Sequence, residues 1–168
     1  MVFVCSTYDE RFTVEAFDRG QPTLTAWLTR HAATAQAKRT ARVFVWTEEG
    51  RSVVLAYFTL SAHEIVEADL PRRLARGMPE RIPAVLLGKL ALDSRLHRRG
   101  LGGHLLFDAY HRVLAATHTV AARYLVVDAI EDDAARFYEH YGFLLSPTEP
   151  SLRMVRNLGD IQADIALR

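Results

Sequence analysis

A single cysteine, Cys5, stands in 168 residues, so an intramolecular disulfide is excluded. That usage fits a reducing cytoplasm, and Cys5 reads as a small strand residue. No apolar run approaches the roughly 20 residues that a bilayer-spanning helix needs. The opening stretch MVFVCSTYDERF has neither a basic region nor a long apolar core, so no signal peptide is expected. Net charge is only +1, and composition alone does not mark a nucleic-acid binder. His97, His104, His111 and His118 recur every seven residues. They lack the i, i+4 spacing of a helical metal pair, so they read as exposed and no metal site is expected. There is no internal repeat, low-complexity tract or linker, and the length suits a single domain over residues 1–168.

Charge is uneven where its sum is small. Arg72, Arg73, Arg76, Arg81, Lys89, Arg95, Arg98 and Arg99 fall within 28 positions that hold only Glu80 and Asp93 as acids. Such a face attracts phosphates, although a solvated surface has the same composition.

The apolar rhythm predicts a strand at MVFVC and a helix over 21–39, with Thr23 as cap and Leu24, Trp27, Leu28, His31, Ala32 and Ala35 on its buried face. RVFVWT and SVVLAYFTLSAHEI read as an antiparallel pair joined at EEGR. Residues 71–83 read as a loop or short helix ended by Pro83, and AVLLGKLALD as a central strand. A helix over 101–117 follows, with Leu101, Leu105, Ala109, Val113 and Ala116 inward. Then come the strand RYLVVDA, the Asp132-capped helix DAARFYEHY stopped by Gly142, and two last strands, FLLS and SLRMVRNL, around the turn PTEP. The order β-α-β-β-β-α-β-α-β-β implies an α/β fold: a mixed sheet of about seven strands with helices on both faces. The strand at 84–93, the helix and the strand at 123–129 form a parallel crossover.

Between strand and helix stands HRRGLGGH, residues 97–104. A helix start leaves main-chain N–H groups unpartnered and favours anions, and glycines let a phosphate approach closely. A Walker A loop is excluded because no Lys-Ser or Lys-Thr follows the glycines. A dinucleotide fingerprint is excluded because GLGGHL ends in Leu105 and several strands precede it. About 35 residues on, AARFYEHYGF places Tyr138 beyond the second parallel strand. The crossover puts it within reach of a ligand at the glycine turn, unless it is a core tyrosine.

LGKLALDSRLHRRGLGGHLL followed by ARFYEHYGF resembles the GNAT superfamily of acetyl-CoA-dependent N-acetyltransferases. The family's phosphate loop, [QR]-x-x-G-x-[GA], corresponds to His97, Arg98, Arg99, Gly100, Leu101 and Gly102, with His97 departing from Gln or Arg. The resemblance implies that main-chain amides there, with Gly103, hold the CoA pyrophosphate. It implies that Leu90, Ala91 and Leu92 line the pantetheine and acetyl group, that Phe137 belongs to the cofactor site, and that Tyr138 is the general acid. Over FDRGQPTLTAWLTRHAATAQAKRTARVFVW, LPRRLARGMPERIPAVLLGKLALDSRLHRRGLG and DDAARFYEHYGFLLSP the chain is similar to acetyltransferase toxins of type II toxin–antitoxin modules. In those, the α-amine of aminoacyl-tRNA is acetylated and the partner is a ribbon-helix-helix antitoxin. With that acceptor, the basic stretch offers Arg72, Arg73, Arg76, Arg81 and Arg95 as tRNA candidates, and a homodimer is a further expectation.

Acetyl transfer needs a neutral amine, a polarised carbonyl and a stabilised thiolate. Main-chain N–H groups near Leu92 suit the oxyanion. No general base stands out, since capping and solvation explain Glu131, Asp132, Asp133 and Glu139. An aminoacyl amine is less basic than a lysine because its ester withdraws electrons, so a missing base favours that acceptor. Two alternatives are an acetyltransferase for a small amine, antibiotic or protein amine, and a non-catalytic acyl-CoA-binding module.

Overall fold

The computed structural model describes residues 1–148 and 152–167. Its strands are β1 (Phe3–Thr7), β2 (Arg42–Glu48), β3 (Ala56–Val66), β4 (Arg81–Leu92), β5 (Tyr124–Asp128), β6 (Leu144–Leu145) and β7 (Arg153–Asn157). Its helices are α1 (Pro22–Lys38), α2 (Arg72–Ala75), α3 (Leu101–Thr117), α4 (Asp132–His140) and α5 (Leu158–Ala166). The strands form one mixed sheet in the order β1-β2-β3-β4-β5-β7-β6. As the crossover requires, β4 and β5 are parallel, while β5–β7 and β6–β7 are antiparallel.

The chain divides into two compact units, Met1–Ser61 with Gly88–Ala109, and Ala62–Leu87 with Tyr110–Arg168. In the first, Leu24, Leu28 and Ala32 of α1 pack on Val43, Val45, Tyr57 and Ala91. The opposite face of β2 carries Trp46, whose Nε1 donates to Asp108 of α3 at 2.6 Å. Alternation along β2 thus gives each helix its own side of the sheet. In the second unit Ile65, Ile82, Ala84, Tyr124, Val126 and Val155 form the core, and Leu74, Ala75 and Met78 cover it. The Tyr124 hydroxyl donates to the Leu74 carbonyl at 2.8 Å, which ties the short α2 to the sheet.

Several expectations need correction. Gln21, not Thr23, caps α1, its side chain accepting from Leu24 N, with Pro22 in the first turn. His31 is exposed, and so is Ala116 of α3, where Leu106 and Tyr110 are buried instead. Strand β3 begins at Ala56, because Val54 N turns to the Thr13 carbonyl and Val53 bridges Thr13. Pro83 lies inside β4, which starts at Arg81, so it does not end a loop. Its carbonyl still accepts from Arg123 N at 2.8 Å, so Pro83 joins the start of β5 through its acceptor although it has no N–H to donate. Glu131 precedes α4 as cap, not Asp132, and offers no side-chain bond. The last strand ends at Asn157, whose side chain caps α5, a helix absent from the sequence expectation. The turn PTEP falls partly outside the described residues.

Candidate active site

The glycine turn belongs to the first unit and is built on a buried carboxylate. Asp93 follows β4 and is 1% exposed. It accepts from Asp18 N at 3.0 Å, Arg95 N at 2.9 Å, Arg95 Nε at 2.8 Å and Arg95 Nη2 at 3.1 Å. Burial pushes its carboxyl up, but the Arg95 guanidinium and these main-chain N–H groups outweigh it and hold the group below its usual value. The residue also caps the single turn Ser94–Leu96. This anchor was not read from the sequence, and it commits Arg95, a tRNA candidate, to an internal ion pair.

His97 is half-buried, which corrects its reading as exposed. Its Nε2 donates to the Leu92 carbonyl at 2.9 Å, a partner that can only accept. The imidazole therefore folds the turn back on the end of β4. His104 and His111 are exposed, as the heptad spacing implied. Next, Arg98 and Gly100 take left-handed φ values of 63° and 70°, while Arg99 between them does not. Alternating handedness of this kind gathers successive N–H groups into an anion-binding concavity. An arginine held left-handed costs on the order of 1 kcal/mol, so the surrounding structure must impose it. Helix α3 starts directly at Leu101, with Gly102 half-buried and Gly103 buried in its first turn.

The β4–β5 ladder runs from Ala84↔Tyr124 to Leu87↔Val127 and stops, whereas β4 continues to Leu92. Leu90 and Leu92 are half-buried and Ala91 is buried. Their main chain lies beyond that ladder. Gly88, just past it, packs so closely that an added Cβ would stand 2.8 Å from Thr59 Oγ1. Lys89 Nζ lies 5.2 Å from the centre of the Trp27 ring, and burial lowers its pKa.

Tyr138 belongs to the second unit, on α4, and is 5% exposed. Its ring meets Phe137 edge-on at 5.2 Å and Phe143 at 5.4 Å. Its carbonyl accepts from both Tyr141 N at 3.0 Å and Phe143 N at 3.1 Å, which closes the helix. Gly142, at φ 89°, makes that reversal without a side-chain penalty. Among the remaining candidates, Arg72, Arg73 and Arg76 are exposed on and beside α2 and enter no ion pair among the described residues. Arg81 pairs with Glu64 at 2.7 Å on the surface. Among the described residues no group of three His, Cys, Asp or Glu side chains could hold a metal ion, and no helix could cross a membrane.

Asp93→Asn should cost about 1–3 kcal/mol, as expected when a buried acceptor set is broken. Its folded pKa lies below the unfolded value, so its stabilisation is present above the unfolded value and lost as pH falls through the folded one. Urea midpoints against pH should therefore fall below about pH 4 in the wild type and less steeply in the variant. Parallel curves would show that Asp93 carries no pH-dependent stability.

No protein-family model matches the chain. The "tRNA-acetylating toxin" of Mycobacterium tuberculosis (strain ATCC 25618 / H37Rv) is 37% identical over 137 residues, 82% of this chain and 81% of that one. Among solved structures, AtaT complexed with acetyl-methionyl-tRNAfMet matches with a TM-score of 0.89 and 25% identity, over 98% of this chain and 99% of that one. AtaTR bound with AcCoA matches with a TM-score of 0.86 and 26% identity, over 97% and 98%.

Proposed function

Because the chain belongs to the family of tRNA-acetylating toxins, we propose that it transfers the acetyl group of acetyl-CoA to the α-amine of aminoacyl-tRNA, as a single acetyltransferase domain over residues 1–168. The structural observation that carries this reading is the turn at Arg98–Gly100, whose alternating φ signs lead directly into α3. A diphosphate suits that turn: it is compact, doubly charged and recognised by N–H groups without any side chain. The main chain of Leu90, Ala91 and Leu92, past the end of the β4–β5 ladder, has the extended form that suits the pantetheine arm. Phe137, half-buried beside Tyr138, completes the cofactor set.

In the reaction the neutral amine attacks the thioester carbonyl carbon. The new C–N bond forms first, main-chain N–H groups near Leu92 stabilise the tetrahedral oxyanion that results, and the C–S bond then breaks as the carbonyl re-forms. The Tyr138 phenol gives its proton to the departing thiolate. The amine releases one proton to solvent and Tyr138 regains one, so the overall reaction is proton-neutral. No carboxylate among the described residues is needed as base, because the ester of an aminoacyl group already lowers the basicity of its amine.

Of the five tRNA candidates, Arg72, Arg73 and Arg76 pair with no carboxylate among the described residues, and they carry the tRNA in this reading. Arg81 contributes less while bound to Glu64, and Arg95 is committed to Asp93. A ribbon-helix-helix antitoxin, in keeping with the resemblance to toxins of type II modules, and a homodimer complete it. Co-purification with the product of a neighbouring gene, and mass in solution, test those two parts.

The deciding assay offers labelled acetyl-CoA with charged tRNA, uncharged tRNA, small amines and a lysine-containing protein. Label should appear only with charged tRNA and should survive deacylation as N-acetyl amino acid. Transfer to small amines or lysines alone overturns the acceptor. In the same preparation, Arg73→Gln should weaken tRNA binding, reduce the salt slope of log K by about 1 and leave acetyl-CoA affinity unchanged.

A further inference from the structure

Behind the turn that ends α4 lies an arginine no sequence motif singled out. Arg156 sits on β7 opposite Leu125 of β5, and its side chain is only 12% exposed. Its Nη1 donates to the Tyr110 hydroxyl at 3.2 Å and stands 3.6 Å from Asp164 Oδ2 of α5. The guanidinium carbon lies 5.7 Å from the centre of the Tyr110 ring. On its other side it fills the space beside Gly142, where an added Cβ would be 3.0 Å from Arg156 Nε and 3.3 Å from Cζ. One planar group thus adjoins α3, α5 and the main chain that closes α4, all within the second unit.

Stability alone is a poor reason for this arrangement. Sequestering a guanidinium is costly, and an apolar side chain of similar length often serves a core as well or better. What a guanidinium adds is a rigid plane with fixed donor directions. Tyr110 is a constant partner, because burial pushes its hydroxyl up to about 12 and keeps it protonated wherever the protein works. Gly142 is also where position matters for chemistry. Gly142 N bonds the Glu139 carbonyl at 3.0 Å, and the N–H groups of Tyr141 and Phe143 both bond the Tyr138 carbonyl. Any shift of Gly142 is therefore carried into the backbone of Tyr138.

We propose that Arg156 is a positioning residue for acetyl transfer: held by Tyr110 and Asp164, it presses on the Gly142 turn and fixes where the Tyr138 phenol stands. This rests on Tyr138 being the general acid. Arg156 touches no substrate in this scheme and acts only through Tyr138. Its removal should lower turnover without loosening acetyl-CoA, and the loss should disappear once the phenol is gone.

A double-mutant cycle tests this with wild type, Arg156→Met, Tyr138→Phe and the double variant. Initial rates of acetyl transfer to charged tRNA at saturating acetyl-CoA are measured beside acetyl-CoA affinity by calorimetry. Arg156→Met should lower kcat by about 10- to 100-fold, the scale of a small misplacement, with affinity nearly unchanged. In the Tyr138→Phe background the same change should cost less than about 2-fold, because coupled residues are not additive. Independent, multiplying losses overturn the positioning role, as does an equal loss of acetyl-CoA affinity. Wild-type turnover in Tyr138→Phe is a different result, and it overturns the general-acid assignment itself. Should Arg156→Met show no cooperative thermal transition, Tyr110→Phe replaces it in the cycle, removing one hydroxyl and keeping the ring. A kcat loss of about 3-fold, absent in the Tyr138→Phe background, supports the proposal. Unchanged kcat in a folded Tyr110→Phe overturns it.

Discussion

Tyr138→Phe is expected to lower the rate of acetyl transfer by about 10²–10⁴-fold while acetyl-CoA binds as before. The range is that of general acid catalysis, and the substitution isolates it cleanly here. The ring packs edge-on against Phe137 and Phe143, and the main-chain carbonyl closes the helix with Tyr141 and Phe143. Phenylalanine keeps all of these contacts, so folding should survive. An ordinary phenol has a pKa about 1.5 units above that of a thiol, so full proton transfer is uphill by roughly 2 kcal/mol. Donation must therefore accompany C–S cleavage, where negative charge on sulfur is already developing. Under single-turnover conditions the variant should be slow at every acetyl-CoA concentration, with an unshifted half-saturation point. Wild-type single-turnover rates would reduce Tyr138 to a packing residue.

The parts of the fold legible in the sequence are those fixed by local chemistry. Helix α3 begins at Leu101 and ends at Thr117, the span its apolar spacing gives, because a glycine turn starts it. Gly142 marks the end of α4 because only glycine reverses there at no cost. The β4–α3–β5 crossover followed from short apolar strands on either side of a helix. What stayed hidden depends on distant partners. Ser52–Val54 look like strand but are drawn off by Thr13, far away in sequence. Helix α5 carries only the weak signal of Asn157 as cap with Leu158 and Ile161 three apart, and it follows a strand without a break. Pro83 obscured the start of β4. For the candidate site, spacing put the glycines at the start of α3 and Tyr138 on the helix after β5, the places they occupy. The roles of Asp93 and Arg156 could not be read in this way, because each is defined by burial and by bonds to remote segments such as Asp18 and Tyr110. Arg95 illustrates the converse, since its place in a basic stretch suggested RNA while its guanidinium serves Asp93.

Gly102→Leu is expected to weaken acetyl-CoA binding by on the order of 100-fold and to leave the fold intact. The choice of position matters. Gly100 has φ 70°, where any side chain is strained whether or not a ligand binds, so a loss there would be ambiguous. Gly102 instead lies in the first turn of α3, a conformation open to every L residue. Leucine is a better helix former than glycine by nearly 1 kcal/mol, so thermal stability should hold or rise. A bulky side chain beside the proposed diphosphate site would keep the phosphates from reaching the N–H groups. Losing two charge-assisted hydrogen bonds at about 1.5 kcal/mol each gives roughly 3 kcal/mol, or about two orders of magnitude in affinity. Calorimetry with acetyl-CoA reads the affinity, and a thermal melt checks the fold. Dephospho-CoA, which lacks the 3′-phosphate but keeps the diphosphate, should lose affinity by the same factor in the variant as acetyl-CoA does. A folded Gly102→Leu that binds acetyl-CoA like the wild type would move the diphosphate away from this turn.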